Sequence, residues 1–141
     1  MSFSDSAESG IMKLLFQAVD YALWADDTVT TPETNVGVAL HTTAGPGEAG
    51  AQTVNEAAYG SYARQDIART AGGWAEAAGV VTPVANIDFP EATSGSETLS
   101  HFSCAQASSS VVLCHGTVTP NIVVTTGVTP RLTTATTITL T

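Results

Sequence analysis

Positive charge is what this chain has least of. Lys13, Arg64, Arg69 and Arg131 are its only Lys and Arg residues, against 13 Asp and Glu, for a net charge of −9. No basic stripe exists to neutralise phosphates, so binding to DNA or RNA is disfavoured, and an anionic membrane surface repels the chain for the same reason. Charge of either sign is scarce: 12% of residues, about half the usual quarter. Long apolar runs are missing too, since nothing reaches the roughly 18 residues of a bilayer span. The opening MSFSDSAESG lacks the basic and apolar regions of a secretory signal, which implies synthesis in a cytosol. Cysteine is limited to Cys104 and Cys114, whose spacing fits no CxxC metal or redox motif. In a reducing compartment they are expected as reduced thiols, small and semi-buried. They lie symmetrically about the turn 108–110, so a hairpin there sets them on neighbouring strands.

Ser, Thr, Ala and Gly fill the space that charge leaves, and β-branched Thr favours extended backbone. A surface of hydroxyls instead of charges suits a chain whose neighbours cover it. The 141 residues fit one domain, 1–141, with a helical segment over 1–27 and strands over 35–141. Ile11, Leu14, Leu15, Ala18, Val19, Ala22 and Leu23 recur at three- and four-residue spacing, predicting a helix with one buried face. Ser6 or Ser9 is placed to cap its start, and Asp26-Asp27 with Pro32 to end it.

From Asn35 the period becomes two, and Val36, Val38 and Leu40 alternate with Gly37, Ala39 and His41, as in a half-buried strand. Residues 42–60, with Gly45, Pro46, Gly47 and Gly50, read as a long loop suited to making contacts. Seven further strands are expected at 61–70, 73–78, 84–89, 98–105, 111–118, 122–125 and 132–140, separated by Gly, Pro and Ser turns. Eight short strands without helical crossovers predict a mainly β fold: a β-sandwich, jelly-roll-like, with one N-terminal α-helix.

Catalytic and metal signals are weak. His41, His101 and His115 form no HxH or HxxxH pair, and Asp26-Asp27 with Glu33 lacks the calcium-loop pattern. The acids are scattered, Ser61 stands outside a GxSxG elbow, and Gly45-x-Gly47-x-x-Gly50 precedes no helix. The reading is therefore no enzyme, no cofactor and no metal. The candidates for partner contact are Glu48, Tyr59, Tyr62, Arg64 and Arg69. In so acidic a chain the two arginines suit a carboxylate, either within the domain or on a neighbour.

The order of helix, then VGVALHTTAGPGEAG over 36–50, then Asn55-Glu56-Ala57-Ala58-Tyr59 with Tyr62-Ala63-Arg64, resembles small virion proteins of tailed phages. So do Ile87-Asp88-Phe89-Pro90, Leu99-Ser100-His101-Phe102-Ser103, Gly116-Thr117-Val118 and the alternating run 132–140. Such proteins are labelled tail fibre or head decoration (cement) proteins. The resemblance implies a jelly-roll-like subunit, made in the host cytoplasm, that binds other virion proteins without a cofactor. The expected function is decoration of the outer capsid, clamping adjacent major capsid subunits, as a homo-oligomer with a trimer favoured. The alternative is a tail fibre or tail-associated protein binding the host surface, with Trp74 or Tyr59 as exposed aromatics for a glycan.

Overall fold

The computed structural model describes residues 5–19, 33–47, 51–108, 110 and 112–139. Among these residues the fold is mainly β, with one helix, α1 (Asp5–Gln17), ahead of nine strands. The expected helix residues beyond 19, including Leu23 and Asp26-Asp27, and Pro32 lie outside the described residues. Ser6 and Ser9 fall inside the span of α1. Ala18 follows in the left-handed region (φ 52°), and the Val19 N–H returns to the Lys13 carbonyl, ending the helix earlier than periodicity suggests.

Four strands make the largest sheet, β1 (Asn35–His41), β2 (Gln65–Ala68), β6 (Glu97–Gln106) and β7 (Val112–Val124), in the order β2-β1-β6-β7. A second sheet orders β3 (Trp74–Ala77), β4 (Val80–Pro83) and β9 (Ile138–Thr139) as β3-β4-β9. The third pairs β5 (Ile87–Asp88) with β8 (Arg131–Leu132). Every pairing is antiparallel. All three sheets and the helix feed one apolar core: Val36, Val38, Leu40, Leu99, Phe102 and Cys104 from the large sheet meet Trp74, Val81, Ile87, Leu132 and Ile138 from the others. The helix closes one side with Met12 and Phe16. Phe16 sits edge-on to Trp74 at 4.9 Å, and the Gln17 side chain donates to the Trp74 carbonyl.

Several elements differ from the expectation. β1 is not half-buried: its large residues enter the core and its small ones, Gly37 and Ala39 with His41, are covered from the other side. The expected strand 61–70 shrinks to β2. Residues 80–83, unassigned in the sequence reading, form β4, because Ala78 and Gly79, both at positive φ, make a two-residue hairpin turn. Expected strands 111–118 and 122–125 are one strand, β7, with Pro120 inside it. This is tolerated because β7 is an edge, where one side of the backbone has no ladder to supply. The run 132–140 splits into β8 and β9 around a turn in which the Thr136 N–H bonds the Thr133 carbonyl.

Candidate functional site

Of the candidate contact residues, Tyr59 is buried, and Tyr62, Arg64 and Arg69 are half-buried. Glu48 lies outside the described residues. Tyr59 is 3% exposed, donates its hydroxyl to the Pro90 carbonyl at 3.0 Å, and stands edge-on to Tyr62. Burial and the Glu97 charge push its pKa up to about 12. The Tyr62 hydroxyl accepts the Leu40 N–H at 3.0 Å and donates to Glu56 at 3.2 Å, and burial raises its pKa further still. Arg64 grips Glu56 through two parallel bonds, Nε–Oε1 2.7 Å and Nη2–Oε2 2.8 Å. Arg69 donates to the Glu33 carbonyl at 2.8 Å. Lys13 pairs with Glu76 at 3.2 Å, and Arg131 holds Asp88 through two bonds, Nη2–Oδ2 being 2.9 Å. All four cations are thus engaged within the chain. Trp74, offered as an exposed aromatic, is 1% exposed. Trp74 and Tyr59 are core residues, and the expectation that they stack on a glycan is corrected.

The long loop folds back on its own sheet. Residues 51–57 cover the β1 and β6 face that carries Gly37, Ala39, His41 and Ser103, and Gln52 inserts beneath them. The His41 Nδ1 faces the Val54 carbonyl at 3.0 Å and must donate there, so Nε2 accepts the Ser103 hydroxyl at 2.7 Å. Gln52 donates to Ser103 Oγ at 3.2 Å and to the Gly37 carbonyl at 2.9 Å. A serine hydroxyl donating to an imidazole is the pairing of a nucleophile and its base. Here His41, Ser103 and Gln52 are each 0% exposed, so no substrate reaches the pair, and it acts as a latch. Burial lowers the His41 pKa, which keeps the ring neutral. Cross-strand register sets His41 opposite His101. The His101 ring bonds Ser100 and is overlain by Gly45, where a Cβ would stand 3.0 Å from it. Among the described residues no group of three or more His, Cys, Asp or Glu is arranged to hold a metal.

Among the described residues, β7 is left as an edge of the large sheet, with the shorter β2 at the other end. β7 is 13 residues long, ends the strand order, and contains no Lys, Arg, Asp or Glu. Its exposed side chains include Leu113 at 39% and Val123 at 63%. Natural edges are blunted by charge, proline or bulges, because a free row of N–H and C=O groups templates pairing with another chain. This edge carries the last two and lacks the first. His101 pairs Thr117 and Leu99 pairs Ile122, so residues 118–121 of β7 bulge out opposite Ser100, and Pro120 lies within the bulge. Residues 114–117 keep a regular ladder on β6, and a second register shift follows between Cys114 and Val112.

The bulge also walls a groove of about 510 Å³ against residues 131–137. Phe102, Val118, Ile122 and Leu132 give it an apolar floor, and Thr117, Thr119, Asn121, Thr133, Thr136 and Thr137 a hydroxyl and amide rim. Arg131 is the one charged residue lining it and is already held by Asp88. Sequence reading missed this edge by cutting the strand at Pro120. The uncharged stretch from 112 to 124 was the signal available.

Residues 2–141 match the model of a family described as Podophage GP4 fiber I protein gp80. No curated protein matches the chain. No helix among the described residues is long and apolar enough to cross a membrane.

Proposed function

We propose that this chain, which belongs to the family of podophage GP4 fiber I protein gp80, is a structural subunit of the virion that works by protein contact and performs no catalysis. The observation that carries the proposal is β7, a 13-residue uncharged edge with exposed Leu113 and Val123, in a chain whose cations are all used internally. Such an edge gains by being covered. Burying apolar side chains there contributes roughly 25 cal/mol per Å², offset by the cost of association. With no free cation, the chain is suited neither to nucleic acid nor to an anionic membrane.

On the particle, the first placement is the outer capsid surface, where the subunit bridges neighbouring major capsid proteins and strengthens their seams. A trimer is the favoured assembly, because it buries uncharged strand residues that a monomer leaves open. The second placement is in or beside a tail fibre, in keeping with the word fiber in the description of the matching family. Counting copies in gradient-purified particles tests the proposal. Hundreds per particle place the protein on the capsid, a handful place it on the tail, and absence from the particle overturns the structural role. For the capsid placement, deletion of the gene leaves heads of normal size that package DNA and rupture at lower temperature. Loss of host adsorption with unchanged head stability selects the tail instead.

A further inference from the structure

Cys104 and Cys114 are directly opposite each other on β6 and β7. Facing residues of an antiparallel pair have Cα atoms about 4.5 or 5.5 Å apart, and both spacings fall within the range of roughly 4.4–6.8 Å that a disulfide spans. Side chains opposite each other share a sheet face. Cys104 belongs to the core and Cys114 packs against it. The two thiols are free and in hydrogen-bonding contact. The ladder also has slack beside them, for its register shifts between Cys104 and Ala105. We propose that Cys104 and Cys114 form an oxidative modification site, a dithiol that a small hydroperoxide closes into a cross-strand disulfide tying the edge strand β7 to the sheet interior.

The chemistry divides between the two sulfurs. Cys104 is 0% exposed, whereas Cys114 is only partly buried, so Cys114 is the thiol a small oxidant reaches. The hydrogen bond from Cys104 favours the Cys114 thiolate and holds the Cys104 proton in place, lowering one pKa and raising the other. The Cys114 thiolate attacks a peroxide oxygen, the O–O bond breaks, and Cys114 becomes a sulfenic acid as the other oxygen takes a proton and leaves as water. The Cys104 sulfur then attacks Cys114. The S–S bond forms, the S–O bond breaks, and hydroxide departs with the Cys104 proton as a second water. With hydrogen peroxide, two thiols and one peroxide give one disulfide and two waters, and the two electrons come from the two sulfurs. In a reducing cytosol the pair stays open, and the oxidant becomes available once the protein leaves it. This inference stands on the register of β6 and β7 and is independent of the protein's place in the virion.

The test is intact-mass and peptide-mapping analysis of the purified full chain, before and after hydrogen peroxide at a slight molar excess. The expected product is a monomer lighter by two hydrogens, refractory to alkylation when denatured, with Cys104 and Cys114 in one linked peptide and full reversal by dithiothreitol. In the Cys104→Ser variant the resolving thiol is gone, so a sulfenic acid trappable by dimedone should accumulate at Cys114. The Cys114→Ser variant should react far more slowly, because its only thiol is buried. Two alkylatable thiols after treatment overturn the proposal, as does a product that is only an intermolecular dimer. Preferential oxidation of Cys104 in the wild-type chain overturns the assignment of the attacking sulfur.

Discussion

Arg64 meets Glu56 with both arms of its guanidinium, 2.7 and 2.8 Å from the two carboxylate oxygens, and Tyr62 donates to the same carboxylate. The pair joins the end of the covering loop to the chain leading into β2. Both side chains are more than two-thirds buried, so removing one leaves the other charge poorly solvated. Arg64→Met should lower stability by about 1–3 kcal/mol, read as a shift in the denaturation midpoint. Unchanged stability would mean that Arg64 contributes nothing within the chain and is free to serve a partner.

Acid should loosen the latch over the back of the sheet. Burial holds the His41 pKa below its ordinary value of 6.5, Glu56 opposes that shift, and His101 and Arg64 assist it. The unfolded chain therefore binds a proton at higher pH than the folded one. The associated stability is fully present above pH 6.5 and is lost as the pH falls from there through the folded pKa. Glu33 and Glu76, whose pKa values lie below 4.5 in the fold, extend the loss under more acid conditions. Urea denaturation between pH 7.5 and 5 should show the decline, and His41→Gln should flatten it. A wild-type profile that is already flat would contradict a buried neutral imidazole.

Gly45 stands at φ 58°, with the His101 ring atoms Cγ and Cδ2 3.0 and 3.1 Å, and the His101 Cβ 3.2 Å, from where a Cβ would be. Gly45→Ala combines a left-handed backbone with a close contact, and should cost roughly 1–3 kcal/mol. Gly47 also has positive φ but nothing within 4 Å, so Gly47→Ala should cost about 1 kcal/mol. Equal melting temperatures for the two variants would show that the His101 contact is without effect.

The helix offers a graded test. Phe16 is 1% exposed and contacts Trp74, whereas Leu15 is only partly buried. Phe16→Ala should destabilise by about 3–5 kcal/mol, more than Leu15→Ala. Leu15→Asp should still lower stability, because it sets a charge against the core. If Leu15→Asp melts like the wild type, α1 does not anchor through that face.

The helix and the strands β1, β3 and β6 were legible because apolar residues recur there at a period of 3.6 or 2. The cysteine register was legible too, since the two residues flank one turn symmetrically. Burial on the second face of β1 was not, because Gly37 and Ala39 read as outward spacers until Gln52, brought over from a loop, fills the room they leave. The internal partners of the candidate contact residues were hidden for a related reason. Tyr59, Tyr62 and Arg64 look like a polar surface stretch in one dimension, but Pro90, Leu40 and Glu56 supply their partners across the fold. Pro120 concealed β7, since proline ends a central strand but not an edge.

The docking role proposed for β7 is tested most directly by placing a charge on it. Val123 is 63% exposed and Leu113 39%, so Leu113→Lys with Val123→Lys should change folding stability by no more than about 1 kcal/mol, while positive charge guards the edge. Supplied in trans to a deletion phage, this double variant should appear in purified particles at least tenfold below wild type, with a melting temperature in isolation within about 5 °C of wild type. Val84→Lys, at an exposed site outside β7, should incorporate normally. Full incorporation of the double variant would contradict the assignment of β7 as the surface by which this protein joins the virion.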